Sequence, residues 1–160
     1  MIIRPITLAD QSAILALLTN DRIKQTYMLP DFSCREEAIP LAHKLMQLSR
    51  EHNRFVRGIE QNGILVGFLN DVETDAGAIE LGYVVHPDYW GQGCATAALK
   101  LAIAELFRKG FREVLCGAFE ENIGSLRVME KAGMQRIPKT DTIDYRGNTH
   151  RCLYCSIKQA

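Results

Sequence analysis

Residues Gly77-Ala-Ile-Glu-Leu-Gly-Tyr-Val-Val-His-Pro-Asp-Tyr-Trp-Gly-Gln-Gly-Cys-Ala-Thr-Ala-Ala-Leu99 set the architecture of the chain. Ala78 to His86 predicts a strand, Pro87 stops it, and a glycine-containing turn leads into a helix that opens near Gly93. The first N–H groups of such a helix have no acceptor one turn back. They point to one spot, where the helix dipole adds positive charge. That arrangement binds an anion and suits a diphosphate. Gly91 and Gly93 let a phosphate come close to the backbone, and Ala95 keeps the next turn small.

The rest of the chain is consistent with one domain over residues 1–160. Its 160 residues are 47% apolar and 24% charged, ordinary usage for a globular protein able to bury a core. Lys and Arg (19) balance Asp and Glu (19), so no net field favours nucleic acid or an anionic membrane as a partner. The opening Met-Ile-Ile-Arg-Pro-Ile-Thr does not read as a signal peptide and no apolar run reaches membrane-spanning length. A cytoplasmic location is expected. An odd set of cysteines, at 34, 94, 116, 152 and 155, fits reduced thiols better than a disulfide framework.

Working outward from Gly77, Ile2 to Ile6 predicts a first strand. Thr7 and Asp10 form a capping pair for a helix with Ile14, Leu17 and Leu18 on its apolar face. A second helical segment is expected over Arg22 to Met28. Ser33 and Glu36 suggest another capping box, with Pro40 forcing a kink or a late start in the helix that carries Leu41, Leu45 and Leu48. Arg54 to Glu60 and Ile64 to Val72 flank Gln61-Asn62-Gly63, a strong hairpin signal. Glu73 to Gly77 reads as a polar connection.

Beyond the central turn, Ala95, Leu99, Ala102, Ile103 and Leu106 share one helix face, and Gly110 ends that helix. Val114 to Phe119 predicts a strand, Asn122 caps a helix reaching Lys131, and Met134 to Ile143 with Thr149 to Ile157 form a closing hairpin.

Val85-His86-Pro87 followed by Trp90-Gly91-Gln92-Gly93-Cys94-Ala95-Thr96 resembles the acyl-CoA pyrophosphate loop of the GNAT N-acetyltransferase superfamily. The Trp-Gly-x-Gly-x-Ala-Thr form is most similar to the RimJ/RimL-type branch of ribosomal-protein acetyltransferases. A second element, Asn122-Ile-Gly-Ser125 leading to Lys131-Ala-Gly133, resembles the family's Asn-x-x-Ser helix. Met134 stands where the family usually has an aromatic residue. The resemblance covers nearly the whole chain and implies an α+β, mixed α/β fold: a central, mostly antiparallel, splayed sheet flanked by helices.

It also implies the chemistry: acetyl-CoA as cosubstrate, no metal, and direct transfer of the acetyl group to a primary amine in a ternary complex. The acceptor is a ribosomal-protein N-terminus or a small amine, and a homodimer is possible. The backbone of Trp90, Gly91, Gln92, Gly93, Cys94, Ala95 and Thr96 is expected to hold the diphosphate. Main-chain groups of Val84 and Val85 are left open by the splay for the pantetheine arm, in the manner of β-augmentation. Gly82 is expected to mark a bulge that opens the splay. The Val85 N–H would face the thioester carbonyl. Glu80 is the first candidate base and Asp144 the alternative. Ser125 is the candidate acid toward the sulfur, and Asn122 either caps its helix, contacts pantetheine, or both.

Other readings compete. A Rossmann fingerprint needs a longer parallel sheet than the residues after the turn supply, and no Gly-Lys-Ser or Gly-Lys-Thr is present for a Walker loop. Cys152 and Cys155 have a CxxC spacing, yet on a strand they point to opposite faces. Cys94 reads as a packing residue, with incidental reactivity expected of a thiol at a helix N-terminus when no anion covers it. From a different functional class, the loop also fits an acyl-CoA-binding sensor that performs no turnover.

Overall fold

Alternating apolar residues pair into one seven-stranded sheet in the computed structural model, which describes residues 1–160. The strands are β1 (Ile2–Arg4), β2 (Val56–Gln61), β3 (Ile64–Asp75), β4 (Ala78–Val85), β5 (Glu113–Phe119), β6 (Gln135–Tyr145) and β7 (Asn148–Lys158). They lie in the order β1-β2-β3-β4-β5-β7-β6. Every neighbouring pair is antiparallel except β4 with β5. The helices are α1 (Gln11–Leu18), α2 (Asp21–Lys24), α3 (Ile39–Leu48), α4 (Cys94–Arg108) and α5 (Ile123–Lys131). None is long and apolar enough to cross a membrane.

Helices cover both faces of the sheet because successive strand residues point to opposite sides. Ile79, Leu81 and Val85 pack with Leu99, Ala102 and Leu106 of α4 and Met129 of α5. Val84 and Phe68 pack with Ile14, Leu17 and Leu18 of α1 and Ala42 and Leu45 of α3. Full burial of a leucine such as Leu99 or Leu106 contributes about 2 kcal/mol, so α4 is held firmly against the sheet.

The feature that positions the site is where pairing stops. β4 pairs with β5 from Ala78 opposite Glu113 to Leu81 opposite Cys116, and no further. β5 continues beside β7 as far as Phe119, opposite Cys152. On its other side β4 stays with β3 up to Val85 opposite Gly67, and the His86 N–H continues to the Val66 carbonyl at 2.8 Å. A breach therefore opens between Gly82–Val85 and the end of β5. Gly67 permits this course, because a Cβ there would lie 2.1 Å from the Val84 carbonyl oxygen.

Several local expectations change. Glu73 to Asp75 are not a connection but the exposed end of β3, paired with Glu80, Ile79 and Ala78. The turn is Ala76-Gly77, both in the left-handed region (φ 48 and 86). Exposure on both faces removes the alternation by which a strand is recognised there. Gly82 is not a bulge: it pairs in register with Asn70, and the register shift falls in β3 between Asp71 and Glu73. A Cβ at 82 would instead crowd Asn70 Oδ1 at 3.1 Å and the Tyr27 ring at 3.4 Å.

At the N-terminal end the Asp10 carboxylate accepts the Thr7 N–H at 2.9 Å, as the capping pair implies. The helix expected over Arg22 to Met28 shrinks to α2, capped by the Asn20 side chain. The Ser33–Glu36 box does not form: the Ser33 N–H goes to Glu37 Oε2 at 2.8 Å, and α3 starts late with Pro40 in its first turn.

Candidate active site

The loop after β4 ends on Gly93, which caps α4 with φ 80, a conformation open to glycine without strain. The first bond of that helix is the Ala97 N–H to the Gly93 carbonyl at 3.0 Å, so the N–H groups from Gln92 to Thr96 have no partner in the chain. A Cβ at either Gly91 or Gly93 would meet nothing within 4 Å, so the approach to these donors is open. The loop is fastened by Trp90, whose indole N–H donates to the Val85 carbonyl at 2.7 Å. The Arg22 guanidinium of α2 lies 4.7 Å over the same ring. Gln92 holds the turn from within, its amide donating to the Asp88 carbonyl at 3.2 Å.

The side chain of Cys94 turns away from these donors. It is 3% exposed and its Sγ–H donates to Gln61 Oε1 at 2.6 Å. Cys94 is thus the packing residue its position suggested, and the expectation of incidental reactivity is corrected, because α4 packs that side chain into the core.

A cavity of about 660 Å³ joins this loop to the breach. Tyr83, Val84 and Val85 of β4, Trp90, Gly91 and Gly93 to Thr96 of the loop, the first turn of α5 and the α2 segment line it. Its charged lining is Arg22, Arg127 and Lys131, none in an ion pair, and Glu121, which is held by His150. This excess of cations and free N–H donors fits a polyanion such as the diphosphate of an acyl-CoA.

Asn122 caps α5 by accepting the Ser125 N–H at 3.2 Å. That bond uses its side-chain oxygen structurally, while Asn122 still lines the cavity. The Ser125 hydroxyl lies 2.7 Å from the hydroxyl of Tyr83, which is also 3.1 Å from the Ser125 carbonyl. Burial pushes the Tyr83 phenol well above its ordinary range, Cys116 adds to the rise, and the hydrogen bond with Ser125 opposes it. The partner of Tyr83 sits on another element 42 residues away, and no local pattern announces such a pair.

Glu80 precedes the breach by two residues, on the face opposite Ile79 and Leu81. Burial raises its pKa, partly opposed by Lys139, whose Nζ is 3.9 Å away; Glu73 and Asp141 add to the rise. Lys139 also lies 4.4 Å over the Tyr154 ring, and the Tyr154 hydroxyl donates to Asp141 at 2.8 Å. Sequence reasoning missed Lys139 and Asp141, since β6 shows no chemistry-bearing spacing. Asp144 lies at the exposed end of the β6–β7 hairpin and accepts from the Thr149 hydroxyl at 2.7 Å. The structure thus brings Trp90, Gly91, Gly93 to Thr96, Val84, Val85, Asn122 and Ser125 to one cavity, while Gln92 lies in the same turn but not in the lining. Glu80 flanks the breach on the other face, and Asp144 stands apart from both.

Comparison with known proteins agrees with this arrangement. The model of the acetyltransferase (GNAT) domain family matches residues 1–135. An uncharacterised N-acetyltransferase, YoaA of Bacillus subtilis, is 28% identical over 142 residues, covering 85% of this chain and 80% of its own. Among solved structures, RimL, a ribosomal α-N-protein acetyltransferase in complex with coenzyme A, superposes with TM-score 0.86 at 16% identity, covering 98% of this chain and 92% of that one. A ribosomal-protein-alanine N-acetyltransferase from Brucella melitensis superposes with TM-score 0.81 at 20% identity over 99% of this chain and 100% of that one. With the family model spanning most of its length, a splayed β4–β5 pair and a glycine-capped anion loop, the chain belongs to the GNAT family of acetyltransferases.

Proposed function

We propose that this acetyltransferase moves the acetyl group of acetyl-CoA directly to a primary amine, a protein N-terminus or a small-molecule amine, with both substrates bound together. The observation that carries the reading is the breach beside Gly82–Val85, flanked by unpaired N–H donors on one side and by Glu80 and Ser125 on the others. The N–H groups from Gln92 to Thr96 hold the diphosphate, and Arg22, Arg127 and Lys131 add attraction for its charge.

When bound, acetyl-CoA supplies an acyl carbonyl open to attack and a sulfur able to leave. Val85 aims its main-chain N–H at the carbonyl oxygen, where negative charge develops. The Trp90 indole on the carbonyl of Val85 holds that residue in place. Glu80 takes the proton lost by the amine; its raised pKa brings it closer to the working pH of a base. Ser125 gives a hydrogen bond and then a proton to the sulfur, and its oxygen regains a proton from solvent. A ribosomal-protein N-terminus is the acceptor to try first, because two of the superposed structures are named for that activity.

Two measurements test the reading. Calorimetry is expected to show acetyl-CoA binding, and thiol release is expected to accelerate with at least one amine among N-terminal peptides, polyamines and amino acids. Tight binding with no release on any amine would leave an acyl-CoA sensor instead.

A further inference from the structure

The Tyr83 side chain is partly buried, borders the breach and has no place in the transfer chemistry described above. Its hydroxyl contacts two oxygens of one residue, the Ser125 hydroxyl at 2.7 Å and the Ser125 carbonyl at 3.1 Å. Between them Tyr83 and Ser125 have two hydroxyl protons, and the carbonyl can only accept. Two arrangements satisfy these groups without moving a heavy atom. In one, Tyr83 donates to the carbonyl and Ser125 donates to Tyr83, so the serine proton points away from the cavity. In the other, Tyr83 donates to the Ser125 oxygen, and the serine proton is free to face the cavity.

We propose that Tyr83 is a positioning residue for Ser125: by donating to the serine oxygen it turns the serine proton onto the sulfur as the carbon–sulfur bond breaks. No bond of Tyr83 breaks in this role. Its phenol, raised by burial, keeps its proton while the sulfur takes the electron pair. A serine or threonine hydroxyl on a helix otherwise tends to bond back to the carbonyl one turn earlier. Thr19, at the C-terminal end of α1, does so here, its hydroxyl donating to the Leu15 carbonyl at 2.7 Å. Asn122 fixes the Ser125 backbone, and Tyr83 fixes its side chain. The first makes a helix start, the second makes a donor with a direction.

The inference rests on the transfer reading, and two readouts keep the fates of the two apart. The first is kinetic. Tyr83→Phe is expected to lower kcat about 10-fold, the worth of one neutral hydrogen bond, with KM for acetyl-CoA unchanged. Adding Tyr83→Phe to Ser125→Ala is expected to cost nothing more, because the phenol acts only through the serine. An unchanged kcat in Tyr83→Phe, or losses that multiply in the double variant, would overturn the inference.

The second readout needs no turnover: the titration of the bound CoA thiol, followed by the ultraviolet absorbance of its thiolate. Wild-type protein is expected to hold the thiolate to lower pH than either variant, and both variants are expected to give the same titration. If the wild type binds CoA and shows this difference but releases no thiol with any amine, the transfer reading falls and the Tyr83–Ser125 donor stands. If the titrations of wild type and Tyr83→Phe coincide, the donor role falls and the transfer reading is untouched.

Discussion

On the proposed function, the half of the molecule that would face the acyl donor and the half built from the α2 segment and the β6–β7 hairpin, which would face the acceptor, are built on opposite principles. The donor half is made of neighbours in sequence: Trp90 to Thr96 is one loop, and its binding groups are main-chain N–H donors. The acceptor half is made of distant segments brought together by side chains. The Tyr145 hydroxyl of β6 reaches the Lys24 carbonyl at 2.6 Å, across 121 residues, and Arg146 pairs with Asp31 at 2.9 Å. Main-chain donors survive substitution of their own side chains. A surface of side chains on strapped loops can be changed residue by residue. The donor is therefore the constant of this architecture and the amine its variable.

That contrast breaks most completely at Gly67, on which both halves depend. A Cβ there would meet the Val84 carbonyl oxygen at 2.1 Å and the Val85 Cα at 3.1 Å, backbone atoms that cannot swing aside. Gly67→Ala must push the end of β4 away from β3, carrying the Val85 N–H and the Trp90 anchor with it. The expected cost is about 3 kcal/mol in urea denaturation, typical of overpacking. In the fraction that folds, a displaced reaction centre is expected to lower kcat about 100-fold or more. Wild-type stability and kinetics would show that the breach does not depend on this crossing.

The same contrast explains how much could be read from the sequence. The strand–turn–helix from Ala78 to Arg108 was legible because each step has a local cause: Pro87 stops a strand, Gly93 caps a helix, and Leu99 and Leu106 repeat on one face. Asn122 as the cap before Ser125 was legible on the same grounds. The breach was not. It depends on β5 continuing with β7 while β4 follows β3, a choice between partners that no single strand encodes. The Gly82 bulge failed for that reason, since the glycine answers to Asn70 on the neighbouring strand and to Tyr27 from the layer packed on the sheet. The Tyr83–Ser125 and Lys139–Glu80 pairs were invisible because each joins separate elements.

Glu80 sharpens the comparison from the acceptor side through pH. With Glu80 as the proposed base, the rate is expected to rise as pH climbs through its pKa, which burial sets above the ordinary carboxylate value of 4.5. Glu80→Gln is expected to lower kcat about 100-fold and to remove that acid limb, with acetyl-CoA affinity measured by calorimetry unchanged. Lys139 holds the pKa down, so Lys139→Met is expected to move the limb to higher pH. Asp141 holds it up, so Asp141→Asn is expected to move it to lower pH. Opposite shifts from two residues of one strand would assign the limb to Glu80. A limb that survives Glu80→Gln would assign the base elsewhere.

The smallest effect is expected at Tyr145, where the two halves should separate most cleanly. Its hydroxyl donates to the Lys24 carbonyl and accepts the Leu29 N–H at 3.3 Å, strapping the segment after α2 to the β6–β7 hairpin. Phe119 packs beside its ring, centroids 6.1 Å apart, so Tyr145→Phe removes the polar strap and keeps the packing. Losing that hydroxyl is expected to cost about 1 kcal/mol of stability. The segment it releases also includes Tyr27, which bonds Asn70 Oδ1 at 2.6 Å beside Gly82. The amine's KM is therefore expected to rise several-fold while KM for acetyl-CoA stays put, because no donor in the Gln92–Thr96 loop touches this strap. An equal rise in both constants would mean that the loop and the strap move as one body, and that the acceptor side cannot vary without disturbing the donor.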